Sequence, residues 1–262
     1  MPTSIIIIFV FVFGLIIGSF LNCLIWRLRQ GEGLMNRSYC PKCRKQIAWY
    51  DNIPVLSFVL LLGKCRHCGK AISVQYPLVE LTAGILFAVS FAINSRAAFF
   101  GEFTNFQFSM LMLRDFFLIS VMVVIFIYDL RWYEILDKVT LPACLVVFLM
   151  NLVLGFSLWN LLISGIIGGS FFLIQFLISN GKWIGGGDIR LGLLMGLALG
   201  WPAVILAIFI SYFIGSIVGV GLILAGKKKW GSEVPLGVFL AVGSIISLFW
   251  HTEILNWYLN IF

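Results

Sequence analysis

The chain has 262 residues, 61% of them hydrophobic and only 11% charged, with a formal net charge of +7. A soluble domain carries about a quarter of charged residues, so a water-soluble globular fold is excluded. The apolar runs are continuous instead of alternating, which excludes a β-barrel. Runs near ~20 residues recur, the length that crosses a hydrocarbon core of ~30 Å. The expected fold is an all-α polytopic membrane protein of about eight transmembrane helices. The positive charge is read as the Lys/Arg excess of cytoplasmic loops, and no nucleic-acid partner is expected.

The first span runs from Ile5 to about Trp26 and ends in Arg27 and Arg29. No small-residue cleavage site follows it, so it is read as a retained helix and not a signal peptide. The segment from Arg27 to about Gln75 holds nine Lys/Arg against Glu32 and Asp51 alone, which places it in the cytoplasm. Within it lie two C-x-x-C knuckles, Cys40-Pro41-Lys42-Cys43 and Cys65-Arg66-His67-Cys68. A reducing cytoplasm disfavours structural disulfides. Four thiolates in paired knuckles suit a closed, tetrahedral, structural Zn²⁺ site with Cys40, Cys43, Cys65 and Cys68 as ligands. His67 is read as solvent-facing, and Cys23 and Cys144 as apolar filler within helices.

The second span covers about Pro77 to Ile93 and contains Glu80, followed by an outer loop with Arg96 and Glu102. The third, about Phe108 to Tyr128, begins near Arg114-Asp115, read as a local ion pair, and delivers Asp129 to the inner face. A cytoplasmic turn to Lys138 leads into the fourth span (about Val139 to Phe156), and the fifth (about Trp159 to Ser179) returns. The loop Asn180 to Asp188 contains Gly185-Gly186-Gly187-Asp188. The sixth span, Ile189 to Gly200, is short enough to be spanning or re-entrant. The seventh stops before Lys227-Lys228-Lys229, a topology anchor at an anionic lipid surface. The eighth runs from about Pro235 to Trp250, with a tail outside from His251. On this topology Arg96 and Arg114 alone, of 18 Lys/Arg, lie on the outer side. Gly165, Gly168, Gly169, Gly215 and Gly219 are read as points of close helix contact.

Asp129 and Asp188 stand at the cytoplasmic ends of helices. Acids at membrane depth are functional by default. Two carboxylates sharing one proton can hydrolyse a peptide without a metal, one taking a proton from water while the other gives one to the carbonyl oxygen. Each acid also has a plainer reading: Asp188 as a helix N-cap, Asp129 as a partner of Arg131. Glu80 is either an interfacial acid paired with a base or a recognition group. No phosphate-binding loop, Ser/His/Asp constellation or Rossmann fingerprint is visible.

These motifs resemble the type 4 prepilin peptidases, intramembrane aspartic proteases of the GxGD type. The resemblance is carried by Asp129-Leu130-Arg131 with Ile135-Leu136-Asp137, and by Gly185-Gly186-Gly187-Asp188. It extends to Gly18-Ser19-Phe20-Leu21-Asn22 with Arg27, to Asp51-Asn52-Ile53-Pro54-Val55-Leu56-Ser57, and to Tyr76-Pro77-Leu78-Val79-Glu80-Leu81. It implies removal of the basic leader of type IV prepilins or pseudopilins, with N-methylation of the new terminus by S-adenosylmethionine in many members. It also implies Asp129 and Asp188 as the catalytic pair. Glu80 and Asp137 are candidates for binding substrate or methyl donor, and a cysteine tetrad is usual in the family's fuller members. Three positions depart from the family pattern: Leu136 and Val238 where proline is frequent, and Arg190 where lysine is common.

The organisation expected is a first transmembrane helix (1–26), a cytoplasmic zinc-binding loop domain built on the four cysteines (27–75) and a transmembrane aspartic protease domain (76–262). The protein is expected to be multi-pass in the plasma membrane, its active site and zinc loop facing the cytoplasm. A proton- or cation-coupled transporter using Asp129 and Asp188 is the competing class.

Overall fold

The computed structural model describes residues 3–33, 37–99, 104–229 and 232–260, leaving Glu102 outside the described residues. Its chain order is α1 (Thr3–Gln30), a 3-10 turn (Trp49–Asn52), α2 (Leu56–Leu60), α3 (Gln75–Phe99), α4 (Asn105–Trp132), α5 (Asp137–Val153), α6 (Leu158–Ser179), α7 (Gly186–Leu199), α8 (Ala203–Leu224) and α9 (Leu236–Leu259). Among the described residues, the eight long helices correspond to the eight expected. Six of them, α1, α3, α4, α6, α8 and α9, are long and apolar enough to cross a bilayer. α5 and α7 have 17 and 14 residues.

The chain folds as two compact units, Met1–Phe108 and Ser109–Phe262. In the first, α1 packs along α3 with backbones nearly touching. A Cβ on Gly14 would lie 2.7 Å from the Gly84 Cα, and one on Gly18 would lie 2.6 Å from the Glu80 Cα. This small-residue seam is how helices associate where lipid removes the hydrophobic drive between them. Asn22 fastens the end of the seam, donating from Nδ2 to the Tyr76 carbonyl at 3.0 Å. α3 continues through Phe99, so position 96, expected in a loop, is helical.

The second unit is built around α7. Nine of its 14 residues are buried, and Leu191, Leu194 and Met195 join a core with Leu118, Met122 and Ile125 of α4, Val147 of α5, Phe172 of α6, Val204 of α8 and Leu240 of α9. From Leu191 onward the helix is apolar and nearly all buried, the mark of a core helix. At 1.5 Å per residue its 14 residues reach about 21 Å, short of the ~30 Å core. It lies against α6 through Gly192 and Gly196, where a Cβ would fall 2.4 Å from the Gly168 carbonyl oxygen and 2.0 Å from that of Ser164. The expected close contacts at Gly165 and Gly168 are therefore real, whereas nothing lies within 4 Å of a Cβ at Gly219.

An early stop leaves helix carbonyls that need donors. The Asn151 amide of α5 supplies them, donating to the Leu197 and Ala198 carbonyls at 2.8 and 3.1 Å. Its Oδ1 accepts from Arg114 Nη1 at 3.1 Å, and Arg114 pairs with Asp115 at 2.6 Å. The local ion pair read from sequence is thus one end of a buried network that terminates α7. α9 breaks at Trp250 (φ −134°, ψ 16°) and then resumes to Leu259. The segment beyond His251, expected as a tail, is helical because Ile254, Trp257 and Tyr258 recur at helical spacing.

Candidate active site

Asp129 lies in the last turn of α4 and is only 5% exposed. Its Oδ2 accepts the Val238 backbone N–H at 3.1 Å, and Gly237 fits beside it only as glycine, since a Cβ would come within 2.9 Å of that oxygen. Arg131 does not pair with it; its guanidinium sits over the Trp132 ring, 5.9 Å from the centroid. Asp188 is 7% exposed and occupies the third position of α7. The N-cap reading therefore shifts by three residues, because Gly185 caps the helix and donates its N–H to Asp188 Oδ2 at 2.9 Å. The acid faces back over the glycine run and steadies the helix start.

Ile135 joins the two. Its Cβ would lie 2.8 Å from a Cβ at Gly187, and its Cδ1 3.0 Å from one at Gly237. One side chain therefore packs on the glycine next to Asp188 and on the glycine touching Asp129. The Asp129 charge also falls within electrostatic reach of Asp188. Of the glycine run, Gly187 makes the close approach, while Gly186 has open space around it. Next to the pair, Tyr212 of α8 donates to Gln175 Oε1 at 2.9 Å. It lines an apolar cavity of about 220 Å³ with Leu236 and Phe239. Ile135 enters the sequence reading only as part of the Ile135-Leu136-Asp137 motif, with no role of its own, and Tyr212 does not stand out, since an aromatic residue in an apolar chain carries no mark.

The cysteine tetrad closes as a unit. The ligand sulfurs of Cys40, Cys43, Cys65 and Cys68 all lie within 4.8 Å of one another. A tetrahedral Zn²⁺ with Zn–S of ~2.3 Å needs sulfurs roughly 3.8 Å apart, so the four fit such an ion. The two knuckles are local copies. Cys40 N–H donates to the Lys45 carbonyl and Cys65 N–H to that of Lys70, both at 2.9 Å. Arg44 and Gly69 both take the left-handed conformation four residues after the first cysteine. Lys42 Nζ stitches one to the other through the Ala71 carbonyl at 2.7 Å. His67 is exposed and Cys144 lies in the core, as expected.

Residues 12–93 match the model of the bacterial peptidase A24 N-terminal domain, and residues 116–220 that of the type IV leader peptidase family. The chain is 33% identical to a prepilin leader peptidase/N-methyltransferase of Aeromonas hydrophila over 97% of its own length and 93% of the relative's. The chain belongs to the type IV leader peptidase family. Proteins of the same description from Burkholderia pseudomallei (strain K96243) and Bacillus subtilis (strain 168) are 30% and 28% identical over 96% and 95% of this chain and 88% and 96% of theirs. No solved structure matches.

This family member is a multi-pass membrane peptidase, and its remaining motif residues have definite places. Glu80 is 6% exposed, and its Oε2 accepts the Val55 N–H at 2.8 Å. Gly18 of α1 packs on its main chain, where a Cβ would fall 2.6 Å from the Glu80 Cα. Val55 is held at φ 58°, costly for a β-branched residue. The Gly18–Asn22 and Asp51–Ser57 motifs thus meet at one buried residue, the first on its backbone and the second on its carboxylate. Asp51 itself pairs with Arg66 of the second knuckle through two hydrogen bonds of 2.6 and 2.7 Å. That guanidinium holds its carboxyl below the usual carboxylate range. In the peptidase's second unit, Asp137 opens α5 and pairs with Arg190 of α7, both about half exposed. Leu136 adopts φ −79°, which proline also adopts. Val238 differs in kind: its N–H serves Asp129, and a proline has none to give.

Proposed function

We propose that the protein is an aspartic endopeptidase that removes the basic leader of type IV prepilins or pseudopilins at the cytoplasmic face of the plasma membrane. Asp129 and Asp188 are the catalytic pair in this reading. The observation that supports it is Ile135 packed at once on Gly187, next to Asp188, and on Gly237, next to Asp129.

Each acid is anchored by Oδ2 on a backbone N–H, and Oδ1 is assigned to proton exchange. Like charges at close range do not both ionise, so the pair holds one proton. The ionised member takes a proton from water as its oxygen attacks the scissile carbonyl carbon. The protonated member gives its proton to the carbonyl oxygen, forming a gem-diol. Collapse breaks the C–N bond as the first acid passes its proton to the leaving nitrogen and a gem-diol hydroxyl returns its proton to the second acid, which restores the singly protonated pair. The substrate's apolar segment stays in lipid, and the cavity beside Tyr212 suits one of its side chains. Asp137 stands at the site's edge, where a basic leader competes with Arg190 for it. Glu80 is assigned to holding the Val55 loop, its carboxylate being engaged there.

The relatives' names extend the proposal to N-methylation of the new terminus, with S-adenosylmethionine as donor. The cysteine tetrad is assigned a structural Zn²⁺, which supplies cross-linking of the two knuckles. The transporter reading is disfavoured, because relatives of near full length are leader peptidases and the acids lie at helix ends.

Mass spectrometry of a prepilin co-expressed with the protein reports cleavage and N-methylation together. Asp129→Asn and Asp188→Asn should each abolish leader removal while the protein remains folded in the membrane. Full cleavage by both variants overturns the assignment.

A further inference from the structure

The segment linking α1 to α3 carries an apolar surface that the protein's own packing leaves open. α2 has two sides. Phe58 turns inward, its ring 3.1 Å from where a Gly63 Cβ would stand. Leu56, Val59 and Leu60 occupy i, i+3 and i+4, one helix face, and are 50, 60 and 72% exposed. Leu62 follows at 84%, and Trp49, in the 3-10 turn packed beside α2, is 82% exposed. Contiguous apolar exposure of this kind marks an interaction surface.

Charge narrows what covers it. Glu32 and Asp51, the segment's acids, are taken by Arg44 and Arg66. Lys42, Lys45, Lys64 and Lys70 remain exposed and positive. A second copy of this chain would bring a segment of the same positive charge, and a basic leader would be repelled. An anionic partner is favoured, and one is within reach. α1 ends at Gln30 and α3 begins at Gln75. The Asn22–Tyr76 hydrogen bond holds both tethers at one level, so the segment hangs beside the leaflet from which the two spans emerge. Apolar residues on one helix face, an exposed tryptophan and flanking lysines are the composition of an interfacial membrane element.

We propose that α2 and Leu62 lie in the lipid interface of that leaflet. The Leu56–Leu60 face is buried at the acyl boundary, Trp49 sits at headgroup level, and the lysines contact anionic lipid heads. The bidentate Arg66–Asp51 pair transmits this seating to the second cysteine knuckle, so the metal module is fixed against the bilayer and does not swing from its two tethers. The inference does not depend on which residues are catalytic.

The test uses the full chain in nanodiscs of phosphatidylglycerol. Photoreactive benzoylphenylalanine in place of Leu60 should give lipid adducts by mass spectrometry, and in place of Gln46, exposed in the first knuckle, it should not. Amides of residues 56–62 should exchange roughly tenfold slower in the bilayer than in detergent. The Leu60→Asp/Leu62→Asp variant should lose that slowing while exchange at the cysteine knuckles stays as protected as in the parent in detergent, which shows that the module is still folded. Adducts at position 60 to a second copy or to a co-expressed prepilin, absence of lipid adducts there, or bilayer-independent exchange overturns the proposal.

Discussion

The backbone N–H of Val238 is the finest-grained feature of the site, because it exists only where the family's frequent proline does not. It donates to Asp129 Oδ2 at 3.1 Å, and a hydrogen bond to an ionised group is worth about 1.5–3 kcal/mol. Val238→Pro removes the donor and leaves the carboxylate with less support. Cleavage by the purified enzyme should fall by about tenfold or more at unchanged thermal stability, since proline's fixed φ suits the first turn of α9. Gly237 is a sterner case. A Cβ there meets the Asp129 oxygen at 2.9 Å and Ile135 at 3.0 Å, and displacement of a reacting group by ~1 Å costs on the order of 10²-fold. Gly237→Ala should therefore lower kcat on that order with KM little changed. Gly237→Ala combined with Ile135→Ala, which frees space on one side, should recover part of the loss. An unaltered kcat in Gly237→Ala would remove Asp129 from the reacting centre.

Between elements, the controlling contact is the α6–α7 seam, where backbone meets backbone. Gly196→Ala places a carbon 2.0 Å from the Ser164 carbonyl oxygen, and two main chains cannot both yield without moving α7 from its buried place. Gly219→Ala adds a methyl to open space and gains up to ~1 kcal/mol of helix propensity. Thermal unfolding in detergent should separate the two, with Gly196→Ala markedly less stable and Gly219→Ala equal to or above the parent. Asn151→Leu should also destabilise, by about 1–3 kcal/mol, through the carbonyls of Leu197 and Ala198 left without donors. These contacts also show what the sequence could and could not disclose. The long spans announce themselves by length and hydropathy, and the cysteine knuckles and GGGD run by spacing. α7 was legible as a helix but not as a core helix, because a 14-residue apolar run reads alike against lipid or protein. Arg114 and Asp115 are neighbours in sequence, yet their partner Asn151 stands 36 positions beyond Asp115. Sequence leaves Glu80 open between an interfacial acid and a recognition group, because Val55, whose N–H it accepts, lies in another motif.

At the scale of the whole molecule, two kinds of stabilisation divide the chain. The spans are held by packing, small-residue seams and satisfied backbone, and lipid does not weaken those. Among its described residues, the segment between α1 and α3 has no comparable core: α2 is five residues long and the 3-10 turn four, with no buried residue in either. A module this small needs a staple; in the proposed reading an ion held by the four cysteines is that staple, and its binding would be folding free energy. Removing the ion with a strong chelator should release that energy locally. Hydrogen exchange in the full-length protein should then accelerate over residues 37–74, including the Asp51–Val55 turn that Arg66 holds. Exchange through α4 and α7 should stay protected, because their burial rests on apolar side chains. Cys40→Ser should reproduce the chelator's pattern, and added Zn²⁺ should reverse the chelator's effect but only weakly that of the variant, which keeps three thiolates. Unchanged exchange across 37–74 after verified metal removal would mean that the knuckles fold without an ion, and the cysteines would then have to be explained by some chemistry other than structural support.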